Sequence, residues 1–159
     1  MQLIIRAPDI AELPALSELC IRSKAVWGYD ADFIAACRGE LSFHPGDLAS
    51  SRIGVAAGND RVLGVAQVRM KSRNEADLAK LFVEPAAMRS GVGQALFAWA
   101  RGAAREMGAS LMTIEADPDA APFYRRLGAR DAGLVPSGSI AGRMLPRLTL
   151  DLVAFTSPR

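Results

Sequence analysis

The stretch Ala76 to Met107, ADLAKLFVEPAAMRSGVGQALFAWARGAAREM, reads as a strand, a glycine-bearing turn and a long amphipathic helix. Leu78, Leu81, Phe82 and Val83 carry the strand signal, and Pro85, which cannot donate to a sheet ladder, ends it. After the turn, Val92, Leu96, Trp99 with Ala100, Ala103 and Met107 recur at helical spacing and form one apolar face. Gly91 and Gly93 stand where the turn becomes the helix. Glycine there lets a ligand approach the backbone, and the unpaired N–H groups of a first helical turn attract anions, a phosphate or pyrophosphate above all. Taken alone, the G-x-G pair serves equally well as turn punctuation. The pattern G-x-x-x-x-G-K-[ST] is absent, and Leu96 stands where a dinucleotide fingerprint would place its third glycine. What remains is an anion-binding strand–turn–helix of another kind.

Bulk properties narrow the reading. A chain of 159 residues suits one domain spanning 1–159, and with 50% hydrophobic and 23% charged residues it is globular rather than disordered. Nineteen basic against 17 acidic residues give a net charge of +2, which argues against a dedicated nucleic-acid surface. Arg101, Arg105, Arg125, Arg126 and Arg130 read as solvated helix faces. Cys20 and Cys37 fall in apolar helical patterns and read as buried thiols in a reducing compartment, and His44, the one histidine, has no metal-ligand spacing with them. No run approaches a membrane span and no secretory leader is visible, so the expected location is cytoplasmic with no membrane partner and no metal.

Working outward, Gln2 to Arg6 reads as a first strand, and Asp9 with Glu12 as a capped helix start leading to about Lys24. WGYD at Trp27 to Asp30 breaks that helix, and Asp30 is placed to cap a second one carrying Phe33, Ile34, Cys37 and Leu41 on one face. Arg52–Ala57 and Val62–Met70 flank Gly58-Asn59-Asp60, a strong hairpin signal. Downstream, Ser110 to Ala116 reads as a strand, Pro118 to Leu127 as a short helix closed by Gly128, Ala129 to Leu134 as a strand, and Val135 to Gly142 as a loop. Leu145 to Phe155 completes the pattern as a last strand. Periodicity alone supports α/β or α+β.

Two segments resemble the GNAT N-acetyltransferase superfamily. V-E-P-A-A-M-R-S-G-V-G-Q-A-L looks like its acyl-CoA signature Q/R-x-x-G-x-G/A, and A-P-F-Y-R-R-L-G-A at Ala121 to Ala129 resembles its A-x-x-F/L-Y-x-x-x-G-F segment. The match covers roughly Leu63 to Ala132. Met88 occupies the Q/R position, with Arg89 beside it as a source of positive charge; Asp117 stands for the family's frequent Asn, and Gly128-Ala129 for its Gly-Phe. The resemblance implies an α/β (α+β mixed) fold: a central mixed, mostly antiparallel sheet flanked by helices on both faces.

It also implies a chemistry and a set of residues. Acetyl-CoA would lie along Leu81, Phe82 and Val83, with its pyrophosphate on the turn formed by Arg89, Ser90, Gly91, Val92, Gly93, Gln94 and Ala95. Tyr124 falls on the position whose phenol protonates the CoA sulfur, whereas by residue type alone it is a core aromatic. Glu115 and Glu84 are candidate general bases by location, each also readable as a solvated or capping carboxylate; Glu75 and Asp77 follow them, and a water chain would also serve. In this family acceptor choice comes from the first two helices and the late loops, here Ser23 to Asp30 and Pro136 to Ile140. Trp27 and Tyr29 would line an acceptor pocket with Asp30 drawing a cationic amine; the alternative is a packed aromatic hinge with Asp30 as a helix cap.

The leading expectation is an acetyl-CoA-dependent N-acetyltransferase acting on a small-molecule or peptide amine by direct transfer in a ternary complex. A catalytically weak or inactive acyl-CoA-binding module of the same fold is the alternative, and a nucleotide-binding protein is disfavoured by the missing lysine. Homodimers are common in the family, which leaves a homodimer open.

Overall fold

The computed structural model describes residues 2–153. The order of elements is β1 (Ile4–Arg6), α1 (Leu13–Ala25), α2 (Ala31–Leu41), α3 (Asp47–Ser50), β2 (Arg52–Gly58), β3 (Arg61–Met70), β4 (Glu75–Val83), α4 (Val92–Glu106), β5 (Leu111–Glu115), α5 (Ala121–Arg126), β6 (Arg130–Pro136) and β7 (Met144–Asp151). The strands form one sheet in the order β1-β2-β3-β4-β5-β7-β6. Every pairing is antiparallel except β4 with β5, and α4 is the crossover that a parallel pair requires. This is the mixed, mostly antiparallel sheet that the sequence resemblance implies.

Local chemistry accounts for most of the boundaries. The Asp9 N–H donates to the Glu12 carboxylate at 2.9 Å, a capping contact that opens a short 3₁₀ turn into α1. The Asp30 carboxylate accepts from Phe33 N–H at 2.8 Å and starts α2. Asn59 and Asp60 both adopt positive φ, 53° and 59°, as a tight hairpin turn demands. The structure also differs from expectation in places. The first strand begins at Ile4, α3 appears where no helix was legible, and the short helix begins at Ala121 rather than Pro118. The strand after it runs on to Pro136, and the last strand stops at Asp151; Ala154 and Phe155 lie outside the described residues.

Helices cover both faces. On one face α1 buries Leu13, Leu16, Leu19 and Cys20 against α2 and against Ile53, Val55 and Val65 of the sheet. On the other, α4 buries Val92, Leu96, Phe97, Ala100, Ala103 and Ala104, and α5 adds Ala121 and Tyr124. Burial of a side chain such as Leu96 or Phe97 contributes about 1.5–3 kcal/mol. Small residues in the sheet let α4 approach closely: a Cβ on Gly54 would lie 2.7 Å from the Trp99 ring, and one on Gly64 would lie 2.8 Å from a Leu96 methyl.

The sheet is not continuous at its centre. β4 and β5 pair only at Glu75–Leu111, Ala76–Met112 and Asp77–Thr113, after which Leu78 to Val83 run on without a partner on that side. The cause is visible in the register with β3. Gln67 faces Lys80 and Val68 faces Leu78, so Ala79 is an extra residue in β4. Such a bulge bends the strand and ends regular pairing. The result is a fork between β4 and β5 with unsatisfied backbone groups along its β4 arm.

Candidate active site

The β4 arm of the fork leads directly to the start of α4. Arg89 and Gly91 take positive φ, 62° and 90°, which swings the chain from strand into helix within a few residues. Ala95 N–H donates to Gly91 O at 3.0 Å, the first bond of the helix, so the N–H groups of Gly91, Val92, Gly93 and Gln94 precede the ladder. A Cβ on Gly91 would meet nothing within 4 Å, so this turn opens to space. Gly93 has a different task. A Cβ there would lie 3.3 Å from the Phe123 ring and 3.6 Å from a Val83 methyl, so this glycine lets α4, α5 and β4 close together. Met88 is partly buried just before the turn, whereas Arg89 and Ser90 are exposed, the Ser90 hydroxyl donating to Ala87 O.

Tyr124 enters from α5, on the same face as α4. Its ring packs against Phe97 and Phe123 at centroid distances of 5.8 Å and 5.1 Å. Among the described residues its hydroxyl has no hydrogen-bond partner. It is not one of the fully buried orphans, of which none occurs among the described residues, so the oxygen keeps contact with solvent. Burial of the side chain pushes the phenol's pKa up, and Tyr124 stays protonated across the neutral range.

The opposite face of the fork carries carboxylates. Asp77 is the last β4 residue paired to β5, opposite Thr113. Burial holds its carboxyl above the usual range, the nearby Glu115 charge adds to that, and Lys71, Arg69 and the Thr113 hydroxyl pull the other way. Glu115 ends β5 with its side chain exposed, in register with Arg147. Glu84, the other base candidate, is engaged: Arg22 of α1 donates to both its oxygens, at 2.9 Å and 2.7 Å. Asp77 and Glu84 thus differ: one is a buried carboxyl at the last β4–β5 pair, the other is held in an ion pair. Beside it on β4, Lys80 is buried, donates to Gln67 at 3.0 Å and lies over the Phe43 ring at 4.8 Å; burial lowers its pKa.

The acceptor residues divide. Asp30 is spent on capping α2, and Trp27 is largely exposed at 44%. Tyr29 turns inward. Its hydroxyl donates to Asp117 Oδ2 at 2.6 Å and accepts from Arg143 at 2.7 Å, and its ring stacks on Phe33 at 4.0 Å. Lys24 donates to the same Asp117 oxygen at 2.9 Å. Burial alone would raise the Asp117 carboxyl; Tyr29, the Asp119 N–H and Lys24 together hold it below its ordinary value. The Tyr29 phenol is pushed up to about 12 by burial and by Asp117, against the pull of Arg143. Lys24, Asp117 and Arg143 close a roof over the end of β5. Sequence reasoning missed this role for Lys24 and Arg143, which lie far from Asp117 in the chain.

Among the described residues no cluster of His, Cys, Asp and Glu could hold a metal ion, and no helix is long and apolar enough to cross a membrane.

The family model for the acetyltransferase (GNAT) domain matches residues 49–128. No curated protein sequence matches the chain. Among solved structures it is similar to the paia N-acetyltransferase of Thermoplasma acidophilum in complex with coenzyme A, at 15% identity and TM-score 0.76, over 95% of this chain and 99% of that one. It is similar to yncA of Salmonella typhimurium with its cofactor acetyl-CoA, at 22% identity and TM-score 0.70, over 100% and 99% of the two chains. It also resembles a GCN5-related N-acetyltransferase of Rhodopseudomonas palustris, at 18% identity and TM-score 0.77, over 95% and 96%. At these identities the likeness speaks to the fold. The matched residues take in the fork, the turn into α4 and Tyr124, and the chain belongs to the GNAT acetyltransferase family.

Proposed function

We propose that the chain is an acetyl-CoA-dependent N-acetyltransferase that passes an acetyl group directly to an amine of a small molecule or peptide. The observation that carries this reading is the fork: on its α4–α5 face Tyr124 packs in one cluster with Leu78 of β4 and Ile114 of β5, and on the other face Asp77 ends the paired part of β4 while Glu115 ends β5. The first-turn N–H groups of α4, with Arg89, suit a pyrophosphate, and the unpaired β4 arm from Leu81 to Val83 suits the amide groups of a pantetheine arm. Acetyl-CoA supplies the thioester.

Transfer to an amine needs a base for the ammonium proton and an acid for the departing sulfur. Asp77, with Glu115 beside it, is the base that this geometry favours, and its raised pKa brings it closer to the amine's proton. The Tyr124 phenol donates to the thiolate. The cysteines support direct transfer rather than an acetyl-enzyme. Cys20 is wholly buried with its thiol pushed up to about 12 by burial, and Cys37 is buried in the same α1–α2 cluster, so neither sulfur is presented to the fork.

Calorimetry with acetyl-CoA, CoA and ATP, followed by an amine panel, tests the reading. The expected result is binding of both CoA species, no binding of ATP, and transfer to an amine. Gly91→Asp puts a carboxylate into the open mouth of the turn and should weaken acetyl-CoA by about tenfold or more, the cost of losing a charge-assisted contact. Preference for ATP, or wild-type affinity in that variant, overturns the site. Tight acetyl-CoA binding with no transfer to any amine makes the chain an acyl-CoA-binding module instead.

A further inference from the structure

The roof over the fork holds more positive charge than it needs. Lys24 and Arg143 both lean on one carboxylate, Asp117, at 2.9 Å and 3.5 Å, and among the described residues neither has another acidic partner. The Lys24, Arg143 and Asp117 side chains are 14%, 19% and 8% exposed, so the charges lie largely out of water. Lys24 with the Tyr29 hydroxyl already satisfies Asp117 as a structural latch; Arg143 is surplus to it. A desolvated cation without a full counter-charge is costly and is normally paired. The Arg143 guanidinium is also held in place, 5.0 Å from the Tyr29 centroid and 4.8 Å from that of Phe33, while most of its donors remain uncommitted.

Position adds the second half. Asp117 lies two residues, about 7 Å, beyond Glu115 on the same strand path, which Ala116 extends by donating to Pro146 O at 2.9 Å. The carboxylates Asp77 and Glu115 therefore sit deeper in the fork, and the surplus cation sits at its rim. The anion-binding turn of α4 is on the other face, so this charge is not part of the proposed pyrophosphate site.

We infer that the acceptor is a small amine that also carries a carboxylate, an amino acid rather than a polyamine, with its carboxylate on Arg143 and Lys24 and its ammonium on the inner side of them, toward Glu115. The inference rests on the transferase reading for the place of the amine, and deepens it by naming the acceptor's second charge.

The test offers the full chain, loaded with acetyl-CoA or CoA, each common amino acid beside its carboxamide, which keeps the amine and loses the negative charge. Turnover and calorimetric binding are both read. The expected result is a kcat/KM, and a binding constant, at least about tenfold better for one or more amino acids than for their carboxamides, the worth of one charge-assisted hydrogen bond. Arg143→Gln should bring that ratio toward one, Lys24→Gln should lower it, and Arg143→Lys should retain part of it. Melting curves and acetyl-CoA affinity report whether each variant has kept its fold. Equal use of amino acids and carboxamides overturns this inference and leaves the transferase reading standing, as does a ratio that survives both glutamine variants. Selective amino-acid binding without transfer does the reverse: it supports the recognition and overturns the transferase reading. Absence of selectivity in both binding and turnover overturns the inference whatever the rate.

Discussion

Tyr124 and Tyr29, the two tyrosines of the chain, come from the helical layers on either side of one sheet and are used in opposite ways. Tyr124 is packed among Phe97 and Phe123, and its hydroxyl has no hydrogen-bond partner among the described residues. Tyr29 is stacked on Phe33 and its hydroxyl is doubly engaged, donating to Asp117 and accepting from Arg143. A phenol engaged in this way positions its neighbours. One left unpaired at the edge of a core, beside a fork in the sheet, is available to something that arrives later. A related contrast separates Glu84, clasped by Arg22 in an ion pair, from Asp77, which burial holds above the usual carboxyl range despite the Thr113 hydroxyl, Lys71 and Arg69.

Four measurements would sharpen or break that contrast. Tyr124→Phe should lower kcat about a hundredfold, the low end for loss of a general acid, with little change in acetyl-CoA affinity or melting temperature because no protein contact is lost. An unchanged kcat removes the acid role. Next in size is the pH response of Asp77. A base must be ionised, so kcat/KM should fall tenfold per pH unit below its folded pKa, which lies above the ordinary value of about 3.9, and Asp77→Asn should abolish that limb along with most of the rate. A limb that persists in the variant belongs to another group, with Glu115 the first to examine.

Tyr29→Phe should show the converse of Tyr124→Phe. It leaves Asp117 and Arg143 each short of a partner, at a cost of about 1–3 kcal/mol, and lowers the melting temperature by several degrees while kcat falls less than in Tyr124→Phe. A large rate loss with unchanged stability would reverse the two tyrosines' roles. The smallest effect belongs to Glu12, whose carboxyl Arg6 and the Asp9 N–H hold at about 2. Its folded pKa is depressed below the ordinary value of about 4.3, so its stabilisation is complete above that value and is lost as pH falls toward about 2. Glu12→Gln should therefore melt slightly below wild type at neutral pH, and the gap should close on acidification. A gap that is constant with pH would mean the pair contributes nothing through its charge.

Features carried by neighbours in the chain were legible in the sequence. The strand, turn and helix from Ala76 to Met107 announced themselves through periodicity and two glycines, the Gly58-Asn59-Asp60 turn through residue type, and Asp30 through capping chemistry. What escaped depends on register or distance. One extra residue, Ala79, sets the fork, and no residue-type signal marks it in ADLAKLF. The Arg22–Glu84 clasp and the Arg143–Tyr29–Asp117–Lys24 roof join residues that only the fold brings together, so Glu84 looked as eligible a base as Glu115. Gly93 was legible as a glycine that something approaches, but its partner is Phe123, part of the protein itself. Lys80 gave no hint of burial, because a lysine inside a strand reads as the solvent side of it.

The three-residue seam between β4 and β5 bears on how the molecule breathes. β1 to β4 form one antiparallel unit and β5 to β7 another, and that short seam joins them, extended by the Ser110 and Leu111 N–H groups donating to Asn74 O at 2.8 and 3.3 Å, the Thr113 hydroxyl donating to Ala76 O at 3.4 Å and the Arg147–Glu75 pair at 3.4 Å. Side chains of α4 and α5 bridge the two units, but their amides are protected within separate ladders. In native-state hydrogen exchange the molecule should therefore open as two cooperative units parting along β4 and β5, and a molecule bridging the fork would slow exchange on both strands together.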